Sequence, residues 1–267
     1  MFRKISLCLA LIFILSFCMQ STVVALEDGV INWYCAKIKD HKQPVADAAL
    51  RIIEKYNGYY LDYKYGDDCA EKVIYLTFDV GYENGNVEKI LDILKSEEVN
   101  GAFFILGNLI HRNPDLVRRM AEDGNLVCNH TNHHKDMTRI DNIDEFSEEL
   151  KSLETLYYET TGKTMSKYYR PPEGKFDERS LNFASELGYK TVFWSIAYAD
   201  WDNDRQPTPT EAKEKIMSRI HNGAVILLHP TSKTNAKILQ DVIQSLKQQG
   251  YRFGSLDELT AESTEKQ

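Results

Sequence analysis

From residue 73 onward the chain keeps one rhythm: a short apolar run, then a longer stretch whose apolar residues recur every three to four positions. Val73-Ile74-Tyr75-Leu76-Thr77-Phe78 is the first apolar run, and Val87, Ile90, Leu91 and Leu94 follow it at helical spacing. The apolar runs return at 102–106, 126–128, Tyr168-Tyr169, 191–194 and 224–228, with Tyr251-Arg252-Phe253 as a seventh. Helices are expected between them: one opening near Pro114, others over 143–158 and 177–187, and one carrying Ile238, Leu239, Val242 and Leu246. Thr208, Pro209 and Glu211 supply a capping residue, a first-turn proline and a capping-box acid for a further helix. A strand that is apolar on both faces and followed by a helix belongs in a parallel sheet, because only a crossover connection returns the chain in the same direction. Roughly seven such repeats fit a closed or nearly closed α/β barrel better than an open sheet. In barrels of this kind the reactive residues stand at the carboxyl ends of the strands.

The segments outside the repeats divide the chain further. Residues 1–25 have the plan of a secretory signal: Arg3 and Lys4, an apolar stretch from 5 to 18, and Val23-Val24-Ala25 before a cleavage point. The apolar stretch is short for a spanning helix, which needs about 20 residues, so a cleaved leader and a secreted, extracytoplasmic protein are expected. Residues 26–70, with a helical pattern at Ala46, Leu50 and Ile53, read as an extension packed on the barrel. Residues 71–260 form the main domain, and 261–267 a frayed polar tail. The net charge of −8 becomes more acidic once the leader's two cations are gone. Such a balance argues against a nucleic-acid partner, since phosphate binding wants a basic face. Outside the leader stand Cys35, Cys69 and Cys128, too few and too irregular for a disulfide framework. A single Cys35–Cys69 bridge is left open, and Cys128 reads as a small buried hydrophobe. A monomer is expected, and nothing in the chain names a protein partner.

Polar residues gather where the apolar runs end. Asp79 closes the first and leads into Val80-Gly81-Tyr82-Glu83-Asn84-Gly85. His130-Thr131-Asn132-His133-His134 follows the third, Arg170-Pro171-Pro172-Glu173-Gly174 the fourth, Asp200-Trp201 the fifth at a distance of several residues, and His229-Pro230 the sixth. Singly, each has an ordinary explanation. An aspartate after a strand commonly caps a turn, two histidines four apart are more often surface or core residues than ligands, and Arg-Pro-Pro makes a rigid strand exit. Together they all face one mouth of the barrel, and the ordinary explanations lose their force. His111 and His221 fall on helical segments away from that mouth and read as structural.

The ordered set of motifs resembles the polysaccharide deacetylases with the NodB homology domain, carbohydrate esterase family 4, over residues 70–260. The runs at 78–85 and 170–174, Ala199-Asp200-Trp201 and Leu227-Leu228-His229 are more closely similar to the branch that de-N-acetylates muramic acid during δ-lactam formation in spore cortex peptidoglycan. So is the leader region around Trp33, His41, Gln43 and Pro44. The resemblance implies a distorted (β/α)7 barrel of the NodB type acting on peptidoglycan glycan strands. It implies Asp79 as general base, His229 as general acid, Arg170 as the cation that keeps Asp79 ionised, and Asp200 as the anion that keeps His229 protonated. It also implies the Glu173 N–H as an oxyanion donor and Trp201 and Leu228 as the lining of an acetyl pocket. Tyr82 lies on a loop that could either touch the sugar or simply turn the chain.

A divalent ion such as zinc is implied at His130 and His134. The aspartate that should complete the site is replaced by Val80, which ligates nothing. Three outcomes stay open: a weakly held ion, a substitute ligand such as His133, or hydrolysis without a tight metal. Two other functions also stay open, a deacetylase of peptidoglycan N-acetylglucosamine or chitooligosaccharide, and a glycan-binding pseudoenzyme.

Overall fold

A computed structural model of the chain describes residues 29–35 and 40–261. The expected leader at 1–25 and the tail beyond residue 261 lie outside the described residues.

Before the repeats come β1 (Ile31–Asn32), a 3-10 helix at Leu50–Tyr56, and β2 (Gly58–Tyr59). The alternation then runs β3 (Lys72–Val80), α1 (Val87–Ser96), β4 (Ala102–Ile105), α2 (Gly107–Arg112), α3 (Pro114–Glu122), β5 (Leu126–Asn129) and α4 (Ile143–Thr161). After β6 (Tyr168–Tyr169) and β7 (Lys175–Phe176) come α5 (Glu178–Glu186), β8 (Lys190–Val192) and α6 (Pro209–Met217). β9 (Ala224–Leu228), α7 (Lys233–Gln248), β10 (Tyr251–Phe253) and α8 (Leu256–Leu259) complete it. All seven expected barrel strands are present. The helix α2 was not expected, because its six residues make fewer than two turns. The capping box at Thr208 forms: the Thr208 side chain accepts from the Glu211 N–H, and the Glu211 carboxylate accepts from the Thr208 N–H at 2.9 Å.

Every pairing in the main sheet is parallel: β3 with β4, β9 and β10, β4 with β5, β5 with β6, β6 with β8, and β8 with β2. Past β8 the chain reaches β9 through the bridge between Ile196 and Ile226, which brings the curled sheet round on itself. Around that bridge the N–H groups of both Ser195 and Ile196 donate to the Val225 carbonyl, at 2.9 and 3.1 Å. Two residues facing one is a bulge, and bulges bend a sheet at the rim of a barrel.

Along β3 the side chains alternate between two cores. Ile74, Leu76 and Phe78 point outward and pack with helix residues such as Leu91, Leu94 and Leu239. Val73 and Tyr75 point inward and pack with Phe104, Cys128, Tyr168 and Val225. The same parity carries Thr77 and Asp79 to the inside. Cys128 is fully buried there, as its sequence context suggested, and burial pushes its thiol up to about 12. Cys69 and Cys128 carry free thiols, so the Cys35–Cys69 bridge is not formed.

The segment before the repeats is tied to the barrel at several points. β2 adds a parallel strand beside β8, and β1 pairs antiparallel with β7. The Gln43 side-chain amide donates to the carbonyls of Asp62, Tyr65 and Asn222 at 2.8, 2.9 and 3.0 Å. Trp33 is buried, stacks on Phe193 and donates its indole N–H to the Trp194 carbonyl at 2.9 Å.

Candidate active site

Asp79 is the last inward-facing residue of β3, and it is nearly buried. Its partner Arg170 leaves β6 and runs inward beneath it with no exposed surface at all. The guanidinium donates to Asp79 Oδ1 at 2.7 Å, to Thr77 Oγ1 at 2.9 Å, and to the carbonyls of Val192 and Phe193 at 2.8 and 3.2 Å. Its flat face lies 4.1 Å from the Phe104 ring centroid. A cation so deep is tolerable because its donors are satisfied and an anion faces it. Burial works to raise the Asp79 pKa. The charge of Arg170, with smaller help from His130 and His229, outweighs that and holds the carboxyl below its usual range. Asp79 is therefore an anion at neutral pH, with Oδ2 left toward the cleft.

Across the cleft, His229 follows β9 directly. Its Nδ1–H donates to Asp200 Oδ1 at 2.7 Å, and its backbone N–H donates to Asp200 Oδ2 at 2.8 Å. Asp200 is buried and takes a third bond from the Asn235 amide at 2.6 Å. Burial alone would lower the His229 pKa, but the hydrogen bond to Asp200 and its charge prevail and hold it above the ordinary value. With Nδ1 committed, Nε2 is the nitrogen available to the cleft.

The two expected ligand histidines line the same cleft. His130 is buried, and its Nδ1–H donates to the Arg170 carbonyl at 2.8 Å, so Nε2 carries the lone pair. That lone pair looks toward Asp79 Oδ2 at 3.6 Å. Burial lowers the His130 pKa to about 4, which keeps the ring neutral and able to ligate. His134 is exposed, with its ring 5.2 Å from that of His130. His133 does not reach in: it turns away to the Glu149 carboxylate on α4, at 3.0 Å from Nδ1. Val80 is buried hydrocarbon that packs into the outer core and lines the same cleft as the pair. Among the described residues no three His, Cys, Asp or Glu side chains come together to hold an ion. The donors present thus fit a divalent ion held by two imidazoles and do not fit the three-ligand arrangement of a resident catalytic zinc.

Asp79, His130, His134, Glu173 and His229 border one cleft of about 740 Å³. Tyr82 and Trp201 stand exposed at its rim, and the Tyr82 hydroxyl accepts from the Asn203 amide at 2.6 Å. Glu173 has a left-handed backbone, φ 60°, and so does Gly174, φ 64°. A Cβ on Gly174 would stand 2.6 Å from the Trp194 ring, so only glycine fits there.

One expected lining residue is displaced by a single position. Leu228 is paired in register with Phe78 and packs outward among the helices, whereas Leu227, level with Thr77, lines the cleft. The error is one of parity: successive side chains of a strand face opposite ways. His221 lies in the turn before β9 and not on a helix. It is buried, with Nε2 2.9 Å from Ser195 Oγ, and burial lowers its pKa to about 4. Sequence reasoning missed Thr77, Asn235 and, as a wall of the cleft, Trp33. The inward parity of Thr77 with Asp79 was the one signal available for any of them.

Comparison with known proteins agrees with this geometry. The polysaccharide deacetylase family profile matches residues 66–192. Peptidoglycan-N-acetylmuramic acid deacetylase PdaA of Bacillus subtilis is 40% identical over 258 residues, covering 96% of this chain and 95% of that protein. The solved structure of B. subtilis PdaA, described as a family 4 carbohydrate esterase, superposes with a TM-score of 0.81 at 41% identity, covering 88% of this chain and 98% of that one. A family 4 carbohydrate esterase from Bacillus anthracis gives a TM-score of 0.70 at 38% identity, covering 87% and 96%. The chain belongs to the polysaccharide deacetylases of carbohydrate esterase family 4.

Proposed function

We propose that the protein hydrolyses the N-acetyl group of muramic acid residues in peptidoglycan. The observation that carries this is the opposed pair lining one cleft: Asp79 held ionised by Arg170, and His229 with its pKa raised by Asp200. The likeness to PdaA, over nearly the whole of both proteins, supports muramic acid as the sugar.

Asp79 Oδ2 takes a proton from a water as that water attacks the acetamide carbonyl carbon. The oxyanion so formed is met by the N–H of Glu173, a donor fixed by the left-handed turn. His229 Nε2–H then gives its proton to the nitrogen, the C–N bond breaks, and acetate and a glycan amine result. Leu227 and Trp201 border the space for the acetyl methyl, and Tyr82 the sugar. His130 and His134 would hold a divalent ion, which would supply polarisation of the carbonyl, and with Val80 where an acidic ligand is expected they would hold it weakly.

The expected site of action is the cell envelope, reached through a leader at residues 1–25, and the reaction is the one required before δ-lactam formation in spore cortex. Mass spectrometry of glycan strands incubated with the protein tests the reading. Loss of one acetyl mass from muramic acid is expected, and loss from glucosamine alone refutes the assignment of the sugar. No loss at all would mark a glycan-binding protein without turnover. Asp79→Asn should lower kcat by about 10²–10⁴-fold, the usual worth of a positioned base, while leaving the thermal unfolding transition cooperative. Unchanged turnover in that variant refutes the role given to Asp79.

A further inference from the structure

A second, smaller trough of about 270 Å³ adjoins the cleft, and the two share Trp33, Trp194, Ala197, Tyr198 and Trp201 as walls. Half of its lining is aromatic, and the rest is small side chains apart from one arginine. Arg219, in the turn after α6, is the only charged side chain among the described residues that border it. The guanidinium is half-buried and anchored by one N–H to the Ala197 carbonyl at 3.1 Å. Ala197 itself borders both spaces, so this bond fixes the cation to the wall that the trough shares with the cleft. In a chain with 40 acidic residues against 32 Lys and Arg, a trough that presents a cation and no acid stands out from the general surface.

We propose that Arg219 binds the lactyl carboxylate of the muramic acid residue being deacetylated and so determines the choice of sugar. The inference rests on the reading of the substrate as muramic acid. Its geometry follows from the ring: the acetamide is carried on C2 and the lactyl ether on C3, the adjacent carbon. A sugar that seats its acetamide between Asp79 and His229 must direct the C3 substituent onto a neighbouring wall. Aromatic faces suit the pyranose ring and the lactyl methyl, and a planar guanidinium suits a carboxylate. N-acetylglucosamine has a hydroxyl at C3 and offers Arg219 nothing to pair with. The carboxylate is free when the stem peptide has been removed and becomes an amide when the peptide is attached. Glycans lacking the stem are therefore the better substrates.

The test compares kcat/KM on three glycans of equal length: muramic acid with a free lactyl group, muramic acid bearing the stem peptide, and N-acetylglucosamine alone. Arg219→Gln should lower the preference for free muramic acid over glucosamine by about 10- to 100-fold, the worth of one hydrogen-bonded charge pair. Arg219→Lys should restore part of it, since an ammonium supplies the charge without the fork. For wild type the stem-bearing glycan should be the poorer muramic substrate, and Arg219→Gln should narrow that gap. If wild type prefers stem-bearing glycan, the anion recognised belongs to the peptide, and the lactyl assignment falls. An equal loss on all glycans, or no loss on free muramic acid, overturns the role of Arg219 while the substrate reading stands. A wild type active on glucosamine only overturns both.

Discussion

At the scale of single residues, the site is two ion pairs, each of which sets the protonation of a group facing the cleft. For His229 the sign is explicit. Burial works to lower its pKa, but the hydrogen bond to Asp200 and its charge hold it above the ordinary imidazole value, so the proton is lost only as pH rises through that elevated value. Replacing Asp200 by Asn removes the charge while keeping the shape. The alkaline limb of the kcat/KM profile should then move to lower pH, and a limb that stays in place would assign it to another group. The imidazole pair gives a second residue-scale expectation. Val80→Asp adds a carboxylate beside His130 and His134, and titration calorimetry with zinc should show at least about ten-fold tighter binding, in line with the usual worth of a charged ligand contact. Identical affinity in both proteins would exclude the pair as the ion's site.

Elements explain how residues so distant in sequence arrive together, and why some were readable and others not. Asp79, Arg170 and His229 were legible because each interrupts or ends an apolar run, and the ends of parallel strands share one rim. Leu227 was not, because a strand buried on both faces, such as Ala224-Val225-Ile226-Leu227-Leu228, shows no alternation from which its inward residues can be told. Only its register against Thr77 and Phe78 settles the matter. Asn235 sits in the first turn of α7, where polar residues are common for capping reasons alone, so nothing in its context pointed to Asp200. The turn at Glu173-Gly174 carries the element-scale prediction. Gly174→Ala forces a Cβ against Trp194 in a backbone conformation that L-residues resist. A loss of about 1–3 kcal/mol in chemical denaturation is expected, together with a fall in kcat larger than any change in KM, the outcome that displacing the proposed oxyanion donor at Glu173 would give. Wild-type kinetics in that variant would remove the turn from the reaction.

Across the whole molecule, the barrel and the segment before it make one working body. Trp33 comes from that segment, yet it borders both the cleft and the adjoining trough and packs on Phe193 behind β8. Trp33→Ala should cost about 3–5 kcal/mol of stability, as large aromatic deletions do, and weaken glycan binding at the same time. A variant of unchanged melting temperature and unchanged KM would show the segment to be a mere appendage. Trp33 entered the sequence reading only through the family resemblance, and its place in the fold was not legible, since β1 and β2 are two residues each and carry no periodicity. Finally, the burial of Arg170 has a consequence for working conditions. Dissolved ions weaken pairs they can approach, and this guanidinium is walled in by Phe104, two carbonyls and a hydroxyl. In strong brine the reacting water would still meet a negative aspartate, and only the pairing of the half-buried Arg219 with a substrate carboxylate would fade.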